Sequence, residues 1–562
     1  MTPIPADLLV AVERWIALDP DPDTVAEARQ LVKLSDVDGL QDRFGSRLAF
    51  GTAGLRGPIA CGPNRMNRLV VRQTAAGLGR RILDDGSEYA ARGVVVGFDA
   101  RHKSDAFASD TAQVLAAMGI RVYLFRHIVA TPVLAFSVLH LGCAAGVQVT
   151  ASHNPPADNG YKVYWGDGPQ IVSPLDEQIS AHIDAVTDDP HPVTLASESH
   201  PMITFVDESV IDDYHAGVRA LDVHSSSRED RASLKIVYTA LHGVGAVPIL
   251  RTFDDAGFTD FHPVVEQRDP DPDFSTVAFP NPEEPGALDL SIALAQSIGA
   301  HIVLANDPDA DRMSAAIPDS RSSTGWRQLR GDEVGWLLAD HLLTLSDADG
   351  PDRLVATTIV SSSLLETMAA RHGVQYRETL TGFKWLARNA ISLPQYRHVI
   401  SYEEALGYSI GALVRDKDGI SAALVFADLA AALKARGSSL SQRLAEIEAE
   451  YGRYDTSQWA LRFDGADALS KMADLMSGLR AHLPASVAGI AVTHVRDLAT
   501  SKPSADVVIL TLGPVGRITV RPSGTEPKCK VYFEVVSRGD ASPVSIKALR
   551  NAMAEVLGVD PN

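Results

Sequence analysis

Cysteine is scarce. Cys61, Cys143 and Cys529 are the three in 562 residues, they lie far apart, and no C-x-x-C occurs. That excludes a disulfide framework and a cysteine zinc set, and fits a reducing compartment. Basic charge is short too: Lys and Arg total 51 against 71 Asp and Glu, a formal charge of −20. Long-range repulsion argues against a broad nucleic-acid or anionic-membrane binder. A small anionic substrate stays open, provided basic groups gather where it binds. No run of about 18 apolar residues is present, so no membrane-spanning helix is expected. The start, MTPIPADLLVAVERW, lacks a basic n-region and carries Asp7 and Glu13 early, unlike a secretory signal. No Walker A pattern appears and no G-x-G-x-x-G opens a helix after a strand, which leaves nucleotide binding unsupported. With 45% hydrophobic and 22% charged residues, the chain reads as a globular, cytoplasmic protein of three or four domains with no obligatory protein partner evident.

What is present is alternation. Residues 6 to about 45 read as helical, with apolar residues at Leu9, Val12, Trp15 and Ile16, then Val25, Ala28 and Leu31. Beyond the Gly-rich FGTAGLRG (50–57), Val94–Phe98, Arg121–Phe125 and Gly146–Thr150 read as strands between helical patterns at 70–83, 105–118 and 132–140. That predicts parallel α/β layers. A second unit opens at Leu234–Thr239 and includes Ile302–Ala305, and a third includes Leu354–Val360 and His398–Tyr402. The last reads α+β, with close strands at Val507–Leu512, Arg517–Val520 and Lys528–Val536 before a helix from about 544. Joints at 186–205, 318–331 and 452–458 divide the chain into 1–205, 206–325, 326–455 and 456–562.

Polar motifs follow directly on strands: TASHNPP after GVQV, NDPDADR after IVLA, and YEEALGY after HVIS. In open parallel sheets ligands bind beyond the carboxyl ends of strands, so such loops from several units predict a shared interdomain cleft. Asp307, Asp309 and Asp311, at spacing two, can converge on one hard cation, as Mg²⁺ prefers. The plainer reading is a solvated acidic turn, yet the preceding strand holds the carboxylates still. An EF-hand is excluded, because its sixth position is Arg312 and its twelfth is Pro318. Arg312 instead sets a cation beside the site, useful for a phosphate.

In TASHNPP two prolines fix the loop and leave Ser152 exposed on it, with His153 beside it and Lys162 after an Asn159-Gly160 turn. A lone turn serine is ordinarily a cap. As a nucleophile it needs a base or a metal. If it carries a phosphoryl group, Mg²⁺ neutralises the oxygens while Lys and Arg bind the charge developing in transfer. Arg521, Ser523, Gly524 and Thr525 in RPSGTEP offer a phosphate cradle, against the plainer reading of a polar hairpin loop. Arg56, Arg101 and Lys103 are further basic groups near glycines or strand ends. Gly407-Tyr-Ser-Ile-Gly411 fits a hydrolase nucleophile elbow, but six residues separate Tyr402 from Ser409 and GALVRDKDG reads as a strand ending in a turn. The elbow is therefore set aside.

Together TASHNPP, DPDADR, YEEALG and RPSGTEP, in that order and spacing, resemble the α-D-phosphohexomutase superfamily from about residue 45 to the end. FGTAGLRG, TGFKWL and EEALGY look most like its branch of phosphoglucomutase-2, phosphopentomutase and bacterial phosphomannomutase-type enzymes. The resemblance implies an α/β fold of four domains around a central cleft: three similar mixed α/β layered domains and a smaller C-terminal α+β domain. In chain order these are a phosphoserine domain behind a helical extension, a metal-binding domain, a sugar-recognition domain and a phosphate-binding domain. It implies a phosphoserine at Ser152 and one Mg²⁺ per chain, held by that phosphate with Asp307, Asp309 and Asp311. Arg56, Lys162 and Arg312 match the basic residues, with Lys162 a candidate acid/base and His153 beside the serine. Glu403 matches the sugar-binding glutamate, Lys384 a phosphate or sugar contact, and Arg521, Ser523, Gly524 and Thr525 the loop for the non-reacting phosphate. Ala405 departs from the serine common at its position, and a histidine often found nearby is absent, with Tyr408 there instead. The implied activity moves a phosphoryl group between C1 and C6 of glucose or mannose phosphate through a sugar bisphosphate, which also serves as activator. The alternatives are a phosphopentomutase and a sugar 1,6-bisphosphate synthase.

Overall fold

The computed structural model describes residues 3–51, 54–189, 191–221, 225–345, 347–463, 468–523, 528–539 and 544–560. The helical start is three helices, Ala6–Leu18, Pro22–Leu34 and Val37–Phe44. Asp21 and Asp36 cap the second and third with their side chains, and Ser35, at φ 52°, breaks the chain between them. Leu8, Val12, Trp15, Ala28 and Leu40 form their core against Cys61 and Leu69.

The first sheet contains β1 (Leu55–Pro58), β2 (Val94–Phe98), β3 (Val122–Leu124), β4 (Ala145–Val149), β5 (Asp158–Trp165) and β6 (Ile203–Phe205), ordered β1-β5-β4-β2-β3-β6. The second contains β7 (Ile236–Thr239), β8 (Phe261–Pro263), β9 (Ile302–Asn306), β10 (Met313–Pro318) and β11 (Trp326–Gln328), ordered β11-β10-β9-β7-β8. The third contains β12 (Arg353–Thr358), β13 (Gln375–Thr379), β14 (Arg397–Glu403) and β15 (Gly407–Ile410), ordered β13-β12-β14-β15. Each contains one plan, three parallel strands and then an antiparallel neighbour beside the last of them in the chain, to which the first sheet adds β6 parallel to β3 and β1 antiparallel to β5, and the second adds β11 antiparallel to β10.

The layers read as parallel from the alternation are mixed sheets, in line with the mixed α/β domains the resemblance implied, and the reason is topological. A parallel return needs a crossover of a dozen or more residues, whereas β4 and β5, β9 and β10, and β14 and β15 are joined by short loops that can only reverse the chain. Those three loops carry TASHNPP, NDPDADR and EEAL. Asn159 and Gly160, read as a turn, lie inside β5. A Cβ on Gly160 would stand 2.4 Å from Thr150 O, so the close strand pairing requires glycine there.

The last unit is antiparallel: β16 (Arg453–Arg462) begins it, β17 (Ser486–Val487) and β18 (Ile490–Ala491) form a small hairpin, and β19 (His494–Asp497), β20 (Val508–Thr511), β21 (Gly516–Pro522) and β22 (Lys528–Ser537) complete the order β16-β22-β21-β20-β19. Helices Ala468–Ala481 and Ile546–Leu557 cover its core of Val508, Ile518, Val531 and Phe533.

The helix Gly419–Ala435 is buried along nearly its whole length, as expected of a helix apolar on all sides. Its residues join one core that also holds Leu134 and Tyr164 of the first unit, Ile249 and Leu304 of the second, and Leu337 and Ile400 of the third. No helix among the described residues is long and apolar enough to cross a membrane. Ser409 lies within β15 and donates to Val414 O, with no helix leaving it, so the elbow pattern is a strand segment. The stretch after Ile410, expected to be a strand, is a turn that leads into the buried helix.

Candidate active site

The loop after β4 is threaded on one guanidinium. Arg101, itself 4% exposed, donates to Ser152 O and Asn154 O at 2.6 Å, to Pro155 O at 2.8 Å and to Asp158 O at 3.1 Å. Thr150 Oγ1 accepts the Ser152 N–H at 2.8 Å. Ser152 is held at φ 51°, a left-handed conformation that costs a non-glycine residue about 1–3 kcal/mol and persists only where its surroundings enforce it. It is 3% exposed, not exposed as its loop position suggested, because the aspartate loop of the second unit closes over it. Its Oγ lies 2.7 Å from Asp307 Oδ2 and 3.2 Å from His153 Nδ1. Arg56 donates to Asn154 Oδ1 at 3.1 Å, on the same loop. Lys103 points away and pairs with Asp21 and Asp23 of the N-terminal helices.

Asp307, Asp309 and Asp311 are buried, each presenting a carboxylate oxygen within 4.8 Å of the others. Ala310, at φ 59°, turns the chain between the last two, and a Cβ on Gly243 would meet Pro308 Cα at 2.3 Å, so the turn after β7 presses directly on the loop. Asp307 Oδ1 accepts the Arg312 N–H at 3.0 Å. Asp309 Oδ2 accepts from Lys162 Nζ at 2.6 Å and Thr131 Oγ1 at 2.5 Å. Asp311 Oδ2 lies 2.9 Å from Lys162 Nζ and 3.2 Å from Lys417 Nζ. Asp309 Oδ1 and Asp311 Oδ1 are buried and accept no hydrogen bond among the described residues. Three carboxylates within 4.8 Å of one another, two of them with an unbonded buried oxygen, are the donor set a hard divalent cation takes, so the residues fit Mg²⁺.

The electrostatics follow from this crowding. Burial, then the charges of Asp309 and Asp311, raise the Asp307 carboxyl well above its ordinary range. Burial opposes charge on Lys162 and Lys417 as well, but their carboxylate neighbours outweigh it and hold both ammonium groups protonated. Burial and the adjacent Arg312 and Arg56 keep the His153 imidazole neutral. Glu403 Oε1 accepts the Gly382 N–H at 2.8 Å, tying the EEALGY loop to TGFKWL. Burial lowers Lys384 to about 8 against the pull of Asp176, Glu403 and Asp416. Glu404, next in the loop, is pushed up to about 7 by burial and then by Glu403, and accepts from Ser361 Oγ at 3.1 Å.

In the last unit Arg521 stands opposite Lys530 in the register of β21 and β22, and the Ser523 N–H donates to Lys528 O at 2.7 Å, closing the loop between them. Gly524 and Thr525 lie outside the described residues.

The sequence reading missed Lys417 and Thr131. Lys417 could have been found in RDKDG, a charged run leading from the turn after β15 into the buried helix. Asp416 beside it accepts from Tyr164 OH at 2.8 Å and Gln170 Nε2 at 2.9 Å, so the first unit positions this part of the third. Thr131 had a signal in Ala130-Thr-Pro-Val, a helix start carrying proline beyond a strand.

A hydroxyl on an enforced turn, metal-fit carboxylates from a second unit and lysines from two units belong to the machinery of phosphoryl transfer, and the chain is an enzyme of that class. Its sequence matches, in order, phosphoglucomutase/phosphomannomutase α/β/α domain I over residues 47–189, domain II over 212–320, domain III over 330–451 and the C-terminal domain over 494–544. The chain belongs to the phosphoglucomutase/phosphomannomutase family of the α-D-phosphohexomutase superfamily. It is 36% identical to the phosphopentomutase of Homo sapiens, across 97% of this chain and 94% of that protein. It is 40% identical to a Haemophilus influenzae protein named probable phosphomannomutase, across 84% of this chain and 93% of that protein. Among solved structures, parafusin, a phosphoglucomutase from Paramecium in its open form, shares the fold with a TM-score of 0.70 at 19% identity, across 92% of this chain and 95% of that one.

Proposed function

We propose that this protein moves a phosphoryl group between the C1 and C6 hydroxyls of a hexose phosphate, glucose or mannose, with Ser152 as the phosphate carrier. The observation that carries this reading is Ser152 Oγ at 2.7 Å from Asp307 Oδ2, inside a buried carboxylate triad. Asp307, Asp309 and Asp311, with the Ser152 phosphate, are the residues that would hold one Mg²⁺. Bound there, the cation neutralises charge on the transferring phosphoryl oxygens.

In the first half-reaction a sugar hydroxyl oxygen forms a bond to phosphorus as the Ser152 Oγ–P bond breaks. The hydroxyl proton ends, in net terms, on Ser152 Oγ. Lys162, kept cationic by two carboxylates, suits the role of proton donor to that oxygen. Arg312 and Arg56 bind the charge that develops on the phosphoryl group. The bisphosphate then turns within the cleft, and its other phosphoryl group returns to Ser152 by the same steps reversed. Glu403 and Lys384 bind the sugar, and Arg521, Ser523, Gly524 and Thr525 hold the phosphate that does not react. Such charged groups explain how a chain of charge −20 captures an anion.

A second reading, pentose 1-phosphate to pentose 5-phosphate, is favoured by Ala405, which removes a hydroxyl donor from the sugar loop, and by the full-length likeness to a phosphopentomutase. The experiment is side-by-side turnover of glucose 1-phosphate, mannose 1-phosphate, ribose 1-phosphate and deoxyribose 1-phosphate. It is joined to peptide mass spectrometry after incubation with a sugar bisphosphate, which should find one phosphoryl group on Ser152. Phosphorylation from a glycolytic acyl phosphate would instead mark a bisphosphate synthase.

A further inference from the structure

We infer that Thr131 is a positioning residue for the metal site, fixing the plane of the Asp309 carboxylate from across the boundary between the first two units. The inference rests on the Mg²⁺ reading above. The carboxylate torsion of an aspartate is broad, so a side chain meant to present one chosen oxygen needs an external restraint. Here Thr131 supplies two. Its N–H donates to Asp309 O at 3.0 Å, anchoring the backbone, and its hydroxyl donates to Asp309 Oδ2 at 2.5 Å, anchoring the side chain. Both groups are fully buried. Thr131 opens the helix Thr131–His140, where an N–H has no partner within the helix and is free to make this bond.

The consequence lies on the other oxygen. With Oδ2 occupied by Thr131 and Lys162, Oδ1 is left buried with no hydrogen bond among the described residues, as is Asp311 Oδ1, in a triad whose carboxylates approach within 4.8 Å. Lys162 alone would serve less well. It is shared with Asp311 at 2.9 Å, and its charge offsets the negative charge that draws the cation. A hydroxyl fixes the carboxylate without cancelling that charge. Second-sphere donors of this kind set ligand orientation, and their loss costs about 10–100-fold in metal affinity.

The test uses the full chain, with Mn²⁺ as the probe, read by electron paramagnetic resonance without turnover. Thr131→Ser keeps the hydroxyl and loses the methyl, Thr131→Ala loses both, and Thr131→Val replaces the hydroxyl by a methyl. The expected result is Mn²⁺ affinity within about threefold of the unsubstituted protein for Ser, and about 10–100-fold weaker for Ala and Val, with circular dichroism unchanged. Equal affinity in the Ser and Ala variants overturns the inference, whatever the Val variant does. No Mn²⁺ binding by the unsubstituted protein, or undiminished binding by Asp309→Asn, overturns the metal reading itself.

Discussion

Ser152 Oγ and Asp307 Oδ2 are 2.7 Å apart although 155 positions separate them in the chain, and they belong to different α/β units. Neither loop makes a site alone: one brings a hydroxyl, the other the carboxylates. Ser152→Ala removes a single oxygen from a loop that Arg101 holds through backbone carbonyls, so the fold should survive. The expected outcome is loss of mutase turnover with an unchanged melting temperature and no phosphorylated active-site peptide.

Asp309→Asn takes a charge from the triad but keeps the side chain's size. Activity followed against free Mg²⁺ should need more than about tenfold higher metal for half-activation, given what even second-sphere changes cost. The sugar phosphate KM at saturating metal should move far less.

The pH profile should carry the signature of Lys384. Burial lowers it to about 8, so it is cationic at pH 7 and loses its charge as pH rises through that value. A sugar phosphate is already a dianion there, since its second pKa is about 6. KM should therefore climb above pH 8, approaching tenfold per unit. Lys384→Arg, which keeps its charge, should flatten the rise.

Arg521→Ala should act on binding. Loss of a charged hydrogen bond to phosphate costs about 1.5–3 kcal/mol, which is a KM raised about 10- to 150-fold. Steady-state kinetics at saturating metal should show kcat much less changed.

The parts of the fold set by local pattern were readable in the sequence. Val94–Phe98 is a strand over that same span, and the terminal helix begins two residues beyond its expected start. The reversed strands were not readable, because β5, β10 and β15 carry one β-branched residue each and nothing in their residues marks a direction. Only the shortness of the loop before each betrays that it must turn back. The same division holds at the site. TASHNPP and NDPDADR announce themselves because serine, histidine and alternating aspartates are unusual at strand ends. Thr131 and Lys417 do not, because a threonine at a helix start and a lysine in a charged turn are ordinary. Their meaning comes from which carboxylate the packing of separate units sets against them. The burial of Ser152 was hidden for the same reason: the loop that covers it comes from elsewhere in the chain.

The helix Gly419–Ala435 runs as a spine through the junction of the first three units. The fourth unit has its own core and meets the third through an apolar cluster of Ile359, Val360, Leu498, Val507, Ile509 and Tyr532 and through polar straps: Glu534 to Ser363, Arg517 to Ser361 and Glu378, and Thr456 to Asp332. Ser152 and the three aspartates thus stand on loops of units whose strands and helices feed one shared apolar core, whereas the fourth unit keeps a core of its own and adds a smaller apolar seam to the third.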